Sequence, residues 1–250
     1  MWPVSFLVTK YLTNMIPFIK RTIARYRTHT TTPSFILALA SSLALFAGSL
    51  VVNYHAALYA QERVSSSVTD IILSNFPTMN VNIYFVYGPI IFWAVIAAFC
   101  IHDPRKVPFI LKSVALFIVT RSLFITLTHI GPFPDQFPID TFGTGVLHTI
   151  YSISNFFFLS TGNDLFFSGH TGLPFLMCLV FWEHRPMRIF SLISALFFGI
   201  IVLLGHFHYS IDVLSAFFIT YTIFHISERF FPKDQKMFIE SHGTTTAHHS

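Results

Sequence analysis

The chain has 250 residues, 53% of them hydrophobic and only 10% charged, with a mean hydropathy of +0.63 and a net charge of +4. Soluble domains carry about 25% charged residues, so this composition excludes an ordinary soluble fold and points to an all-α, polytopic membrane protein. The Lys and Arg residues stand in short clusters between apolar segments, which reads as a topology signal and not as a nucleic-acid surface.

Residues 1–33 mix Trp2, Phe6, Leu7, Tyr11, Leu12, Ile16 and Phe18 with Lys10, Lys20, Arg21, Arg25 and Arg27. A secretory signal places its charges before its apolar core. Here they follow it, so the segment reads as a basic, interfacial amphipathic helix. Six apolar spans are expected next, at about 35–58, 82–101, 108–128, 170–184, 187–205 and 208–227, each judged against the ~20 residues that cross a bilayer. The fourth is short, and either starts earlier or follows a half-buried helix at 143–160. Residues 34–230 thus form one six-helix membrane domain, and 231–250 a polar tail.

The charges orient these spans. The N-terminal segment carries five Lys and Arg, the 102–107 loop two, the 184–188 loop two and the tail three, which is twelve of the fifteen. All fall on one side if six spans alternate. The other side holds Arg63 and a long connection, 129–168, without Lys or Arg. By the positive-inside rule both termini are cytoplasmic. His170, at the start of the fourth span, and His208, at the start of the sixth, then meet at the extracytoplasmic face, with Arg121 in the outer half of the third.

Asp212 lies four residues after His208, one turn deeper on the same helix face. A carboxylate inside an apolar helix costs about 2.5–3.5 kcal/mol on insertion scales, and His208 is its nearest partner in sequence. Arg121 has two readings: a structural partner for Asp212 or a helix carbonyl, and a bidentate clamp on phosphate oxygens. His206 points to another face and reads as an interfacial residue. Asp164 either pairs with an ammonium head group or ties down its loop. His129, Asp135 and Asp140 read as solvated. Cys100 and Cys178 read as small hydrophobes, so no disulfide framework and no cysteine-based zinc site is expected. No internal repeat and no Gly-rich phosphate loop is present.

Two stretches carry a resemblance. Asp164-Leu165-Phe166-Phe167-Ser168-Gly169-His170-Thr171 and His206-Phe207-His208-Tyr209-Ser210-Ile211-Asp212-Val213 resemble the sphingomyelin synthase family. Its patterns run Gly-Asp-x-Leu-x-Ser-Gly-His-Thr and His-x-His-Tyr-[Thr/Ser]-[Val/Ile]-Asp-Val. Arg121-Ser122 with Pro132 is similar to that family's third span, and Asp70 to its early outer-loop Asp. Asn163 and Gly131 depart from the pattern. The type 2 phosphatidic acid phosphatases are related, but their Lys…Arg-Pro motif is missing here and Val202 stands where their second Arg would be.

The resemblance implies a phosphotransferase that moves a phospholipid head group, phosphocholine or phosphoethanolamine, to ceramide or a similar lipid alcohol. It implies His208 as nucleophile, Asp212 as its orienting carboxylate and His170 as general acid and base. Arg121, Asp164, Ser168 and Gly169 would bind substrate. No metal or other cofactor is expected; the expected partners are the phospholipid donor, the lipid alcohol acceptor and membrane lipids. If the head group is choline, Phe156, Phe157, Phe158, Phe166, Phe167 and Tyr209 are available for an aromatic cage. A bacterial origin would place the protein in the inner membrane. The alternative is a lipid phosphatase or phospholipase C-like hydrolase with water as acceptor. A transporter would place its polar groups nearer the bilayer midplane.

Overall fold

A computed structural model describes residues 32–101, 103–138 and 165–246, with side chains given to residue 241. Among these residues there are helices, turns and loops, and no strand. The expected N-terminal amphipathic segment and the 143–160 helix lie outside the described residues, as do Asp140, Phe156, Phe157, Phe158, Asn163 and Asp164. The helices are α1 (Pro33–Glu62), α2 (Asn82–Ile101), α3 (Val107–Thr128), α4 (Gly169–Val180), α5 (Arg185–Leu204), α6 (Ser210–Phe230) and α7 (Pro232–Thr246).

Among the described residues, five helical stretches are long and apolar enough to cross a membrane: α1, α2, α3 with its preceding turn, α5 and α6. The remaining expected span is different. Helix α4 has 12 residues, about 18 Å at 1.5 Å per residue, and so falls short of a ~30 Å hydrocarbon core on its own. Its far end turns directly into α5, with His184 Nδ1 accepting from the Met187 N–H at 3.3 Å. Its near end therefore stops inside the bundle. Thr171 in the first turn of α4 lies beside Gly199 of α5, at 3.5 Å from a Cβ built there. Leu204, where α5 ends, is five residues further on, about 7.5 Å higher.

Helix α3 is the central element, packed against α1, α4, α6 and α7. Small and polar residues on the buried face of α1, including Ser42, Ser49, Asn53, Ala56, Ala57 and Ala60, let α3 approach closely. The Ser122 hydroxyl reaches the Asn53 amide oxygen at 3.4 Å across that seam. Gly172 does the same for α4: a Cβ there would lie 2.7 Å from the Phe117 ring and 2.9 Å from Thr220 Oγ1. The main apolar core joins Phe109, Phe117, Phe167, Leu176, Met177, Phe181 and Ile223 with Phe238 of α7.

The segment read as a polar tail thus contains a docked helix. Lys112 of α3 and Asp234 of α7 pair at 2.8 Å, both side chains 9% exposed. Phe238 packs on Phe109 and Phe181 beside them. Removing one partner of a buried pair costs about 3–5 kcal/mol, because the other charge is left unpaired. Asp234→Ala should therefore lower the thermal midpoint of the detergent-solubilised protein clearly, and Lys112→Met combined with Asp234→Leu should recover most of the loss. An unchanged midpoint in Asp234→Ala would show that α7 does not depend on this pair.

Candidate functional site

The end of the bundle opposite α7 gathers the chemistry. Helix α5 ends at Leu204 with Gly205 as its cap, and His206 adopts a left-handed φ of 54°. This reverses the chain, and the Phe207 and His208 amides fold back onto the Val202 carbonyl at 2.8 and 3.4 Å. The reversal delivers His208 to the start of α6 as a buried side chain. The Asp212 carboxylate, fully buried, then serves two donors with one oxygen. Its Oδ2 accepts from the Tyr209 N–H at 2.9 Å, which satisfies a first-turn amide of α6, and lies 3.4 Å from His208 Nδ1. Its Oδ1 has no hydrogen-bond partner among the described residues.

Helix α4 meets this turn directly. The Ser168 N–H donates to the Asp212 carbonyl at 3.1 Å, while Ser168 Oγ accepts from the Thr171 N–H at 3.4 Å and caps α4. This corrects one expectation. The Ser168 amide, expected to hold a phosphate oxygen, is engaged in joining α4 to α6, and its side chain is fully buried. Arg121 donates from Nε to the Phe167 carbonyl at 2.9 Å and runs alongside Gly169, 3.5 Å from a Cβ built there. Arg121 thus braces a loop carbonyl and sits beside the first turn of α4.

His170 stands within electrostatic reach of both His208 and Arg121. Its ring stacks on Phe85 of α2, centroids 4.2 Å apart and 18° between planes. Phe85 packs in turn on Phe207, also at 4.2 Å, so one phenyl ring touches both histidine-bearing stretches. Nothing in a chain with 31 Phe marked this one out. Of the described aromatic residues expected for a cage, Phe167 is fully buried in the core and Phe166 packs against Phe124.

The outer loops hold this turn in place. Tyr209 donates its hydroxyl to the Gly131 carbonyl at 2.8 Å and accepts from the Val68 N–H at 3.2 Å. Gly131 itself leaves no room for a side chain against the Ser65 carbonyl. His129, expected to be solvated, ends α3 with a φ of 47°, and its carbonyl accepts from the Ser65 N–H at 2.8 Å. Its ring packs on Tyr59, and Nε2 is buried.

Asp70 is the residue that sequence reasoning undervalued. Its Oδ1 accepts from the Ile72 and Leu73 amides at 2.8 and 3.1 Å. Its Oδ2 accepts from the Ser210 N–H at 2.6 Å, at the start of α6. A carboxylate at a helix N-terminus satisfies an orphan amide and opposes the helix dipole. Burial pushes the Asp70 carboxyl up, but the hydrogen bonds from Ser210, Leu73 and Ile72 outweigh it and hold the group below the usual carboxylate range. Its family-pattern position was the available signal.

The lowered value fixes a sign. Asp70 contributes its full stabilisation above the unfolded carboxylate value of about 3.9, and loses it as pH falls further through the lower folded value. The thermal midpoint of Asp70→Asn should lie below wild type at pH 6, with the gap narrowing as the pH drops below about 4. A gap independent of pH would rule out the ionised carboxylate as its source.

Among the described residues no group of three or more His, Cys, Asp or Glu side chains stands together as a metal site. No curated protein and no solved structure matches the chain. Residues 161–229, a stretch that holds both histidine motifs, match the family described as PAP2 superfamily C-terminal, which supports a relation to the type 2 phosphatidic acid phosphatases and an enzyme of the lipid phosphatase or phosphotransferase type.

Proposed function

We propose that the protein is a membrane phosphotransferase that moves a phospholipid head group, phosphocholine or phosphoethanolamine, to ceramide or a similar lipid alcohol and releases diacylglycerol. The observation that carries this reading is His208 Nδ1 at 3.4 Å from a fully buried Asp212 carboxylate, with His170 within electrostatic reach of both His208 and Arg121. A carboxylate at Nδ1 keeps that proton in place and leaves Nε2 to attack phosphorus. The N–P bond forms as the P–O bond to diacylglycerol breaks, and His170 gives its proton to the departing oxygen. Asp212 offsets the positive charge that the imidazole gains. In the second step the acceptor hydroxyl returns a proton to His170, its oxygen bonds to phosphorus, and the N–P bond breaks. Arg121 and the first-turn amides of α4 at Gly169 and His170 would hold the phosphoryl oxygens. Asp164 is proposed as a further substrate contact.

Two features favour transfer of a diester head group. A phosphate monoester carries nearly two negative charges near pH 7, whereas a diester carries one, which a single Arg and a helix end suit. His208 is only 6% exposed and Asp212 fully buried, an environment that disfavours water as the acceptor. The Lys and Arg of the 104–106 turn, of the first turn of α5 and of α7 lie at the other end of the bundle. By the positive-inside rule we place that end in the cytoplasm and the histidines on the extracytoplasmic face. The family match keeps one alternative in play: a hydrolase, a lipid phosphatase or phospholipase C-like enzyme, with water as acceptor.

Purified protein in detergent, given fluorescent ceramide with phosphatidylcholine, phosphatidylethanolamine or no donor, separates these. The expected result is a new phospholipid that requires both a donor and His208, absent in His208→Ala. Diacylglycerol released without ceramide would move the assignment to the hydrolase. Turnover of phosphatidic acid with none of either diester would sink the head-group reading.

A further inference from the structure

Helix α2 carries Pro89 in its interior. Proline has no N–H, so the carbonyl four residues earlier, that of Phe85, loses its helical donor. This is the carbonyl that His170 meets: its Nε2 lies 3.3 Å from Phe85 O, under the same stacked pair of rings. A carbonyl oxygen only accepts, so the ring nitrogen facing it is an N–H. In a neutral imidazole the other nitrogen then carries the lone pair.

We propose that Pro89 is a positioning residue for His170: by leaving the Phe85 carbonyl open, it fixes the imidazole proton on Nε2 and makes Nδ1 the atom that exchanges protons with the lipid oxygens. This rests on the acid–base role proposed above for His170. In the first step doubly protonated His170 gives up its Nδ1 proton to the diacylglycerol oxygen. In the second, Nδ1 takes the proton of the acceptor hydroxyl. Nε2–H stays on the Phe85 carbonyl throughout, so the ring does not turn between steps. Among the described residues, the charged and titratable groups in reach of the ring are His208 and Arg121; Phe85 stacks on it and Phe198 meets it edge-on.

An otherwise unfavourable residue gives the test its discrimination. Pro89→Ala returns an N–H to position 89 and lets the Phe85 carbonyl bond within the helix. Alanine also suits a helix interior far better than proline, so the variant should fold with a thermal midpoint at or above wild type. With 15N-labelled histidine, and His170 assigned by its loss in His170→Gln, wild type should show the proton on Nε2 and Pro89→Ala a mixture of tautomers. With phosphatidylcholine and ceramide, kcat of Pro89→Ala should fall about tenfold, a part of what general acid–base catalysis supplies, while KM stays within about twofold. His170→Gln keeps an N–H for the carbonyl but has no base, and should fold without turnover.

Two results would overturn the proposal. One is wild-type His170 with its proton on Nδ1. The other is a Pro89→Ala variant that keeps both the wild-type tautomer and the wild-type kcat. Absence of any His208-dependent turnover of these lipids would instead defeat the functional reading, and the nitrogen shifts would still decide whether Pro89 sets the tautomer.

Discussion

A carboxylate with no exposure to solvent is the constraint around which the histidine end is built. Asp212 sits within the first turn of α6, where an unpartnered charge is costly. The structure answers with a turn amide, a histidine and the local field of a helix N-terminus. It does not answer completely, since one carboxylate oxygen lacks a partner among the described residues. Each neighbouring element is tied to this turn by a specific bond: α4 through the Ser168 amide, the α1–α2 loop through Asp70 and Val68, and the loop after α3 through Gly131. Remove the need to bury Asp212, and most of these ties lose their purpose.

The half-length helix α4 follows from the same requirement. A full-length span would carry Ser168, Gly169 and His170 out to the level where α5 ends. Twelve residues instead stop the helix about a turn lower, beside Gly199. There its first turn meets the N-terminus of α6, which His206 has folded back toward the bundle. Two helix N-termini and two histidines converge at a depth that neither helix would reach by running its full course.

Much of this was legible in the sequence, and the reasons are physical. The apolar runs gave α2 at Asn82–Ile101 and the other long spans within a few residues, because hydrocarbon thickness sets their length. The four-residue spacing of His208 and Asp212 pointed to their pairing, but the geometry differs from a shared helix face: His208 stands in the turn before α6, and Asp212 reaches back to it past the Tyr209 amide. What stayed hidden depends on contacts between segments far apart in sequence. Phe85 matters because Pro89 frees its carbonyl and α4 happens to pass there; Asp70 matters because Ser210 lies beneath it. The Ser168 amide was assigned to phosphate because sequence does not reveal which carbonyl, here that of Asp212, will claim it first.

The docking of α7 has a consequence of its own. Its ion pair with Lys112 lies at the opposite end of the bundle from His208, separated by the 20 residues of α5, about 30 Å. Contacts that far apart, sharing no partners, act additively. The molecule therefore has an anchor that sequence drift or an engineer can strengthen or replace without disturbing the reacting groups. A fusion partner or immobilising surface attached beyond α7 would load this anchor first, and the histidines would feel it last.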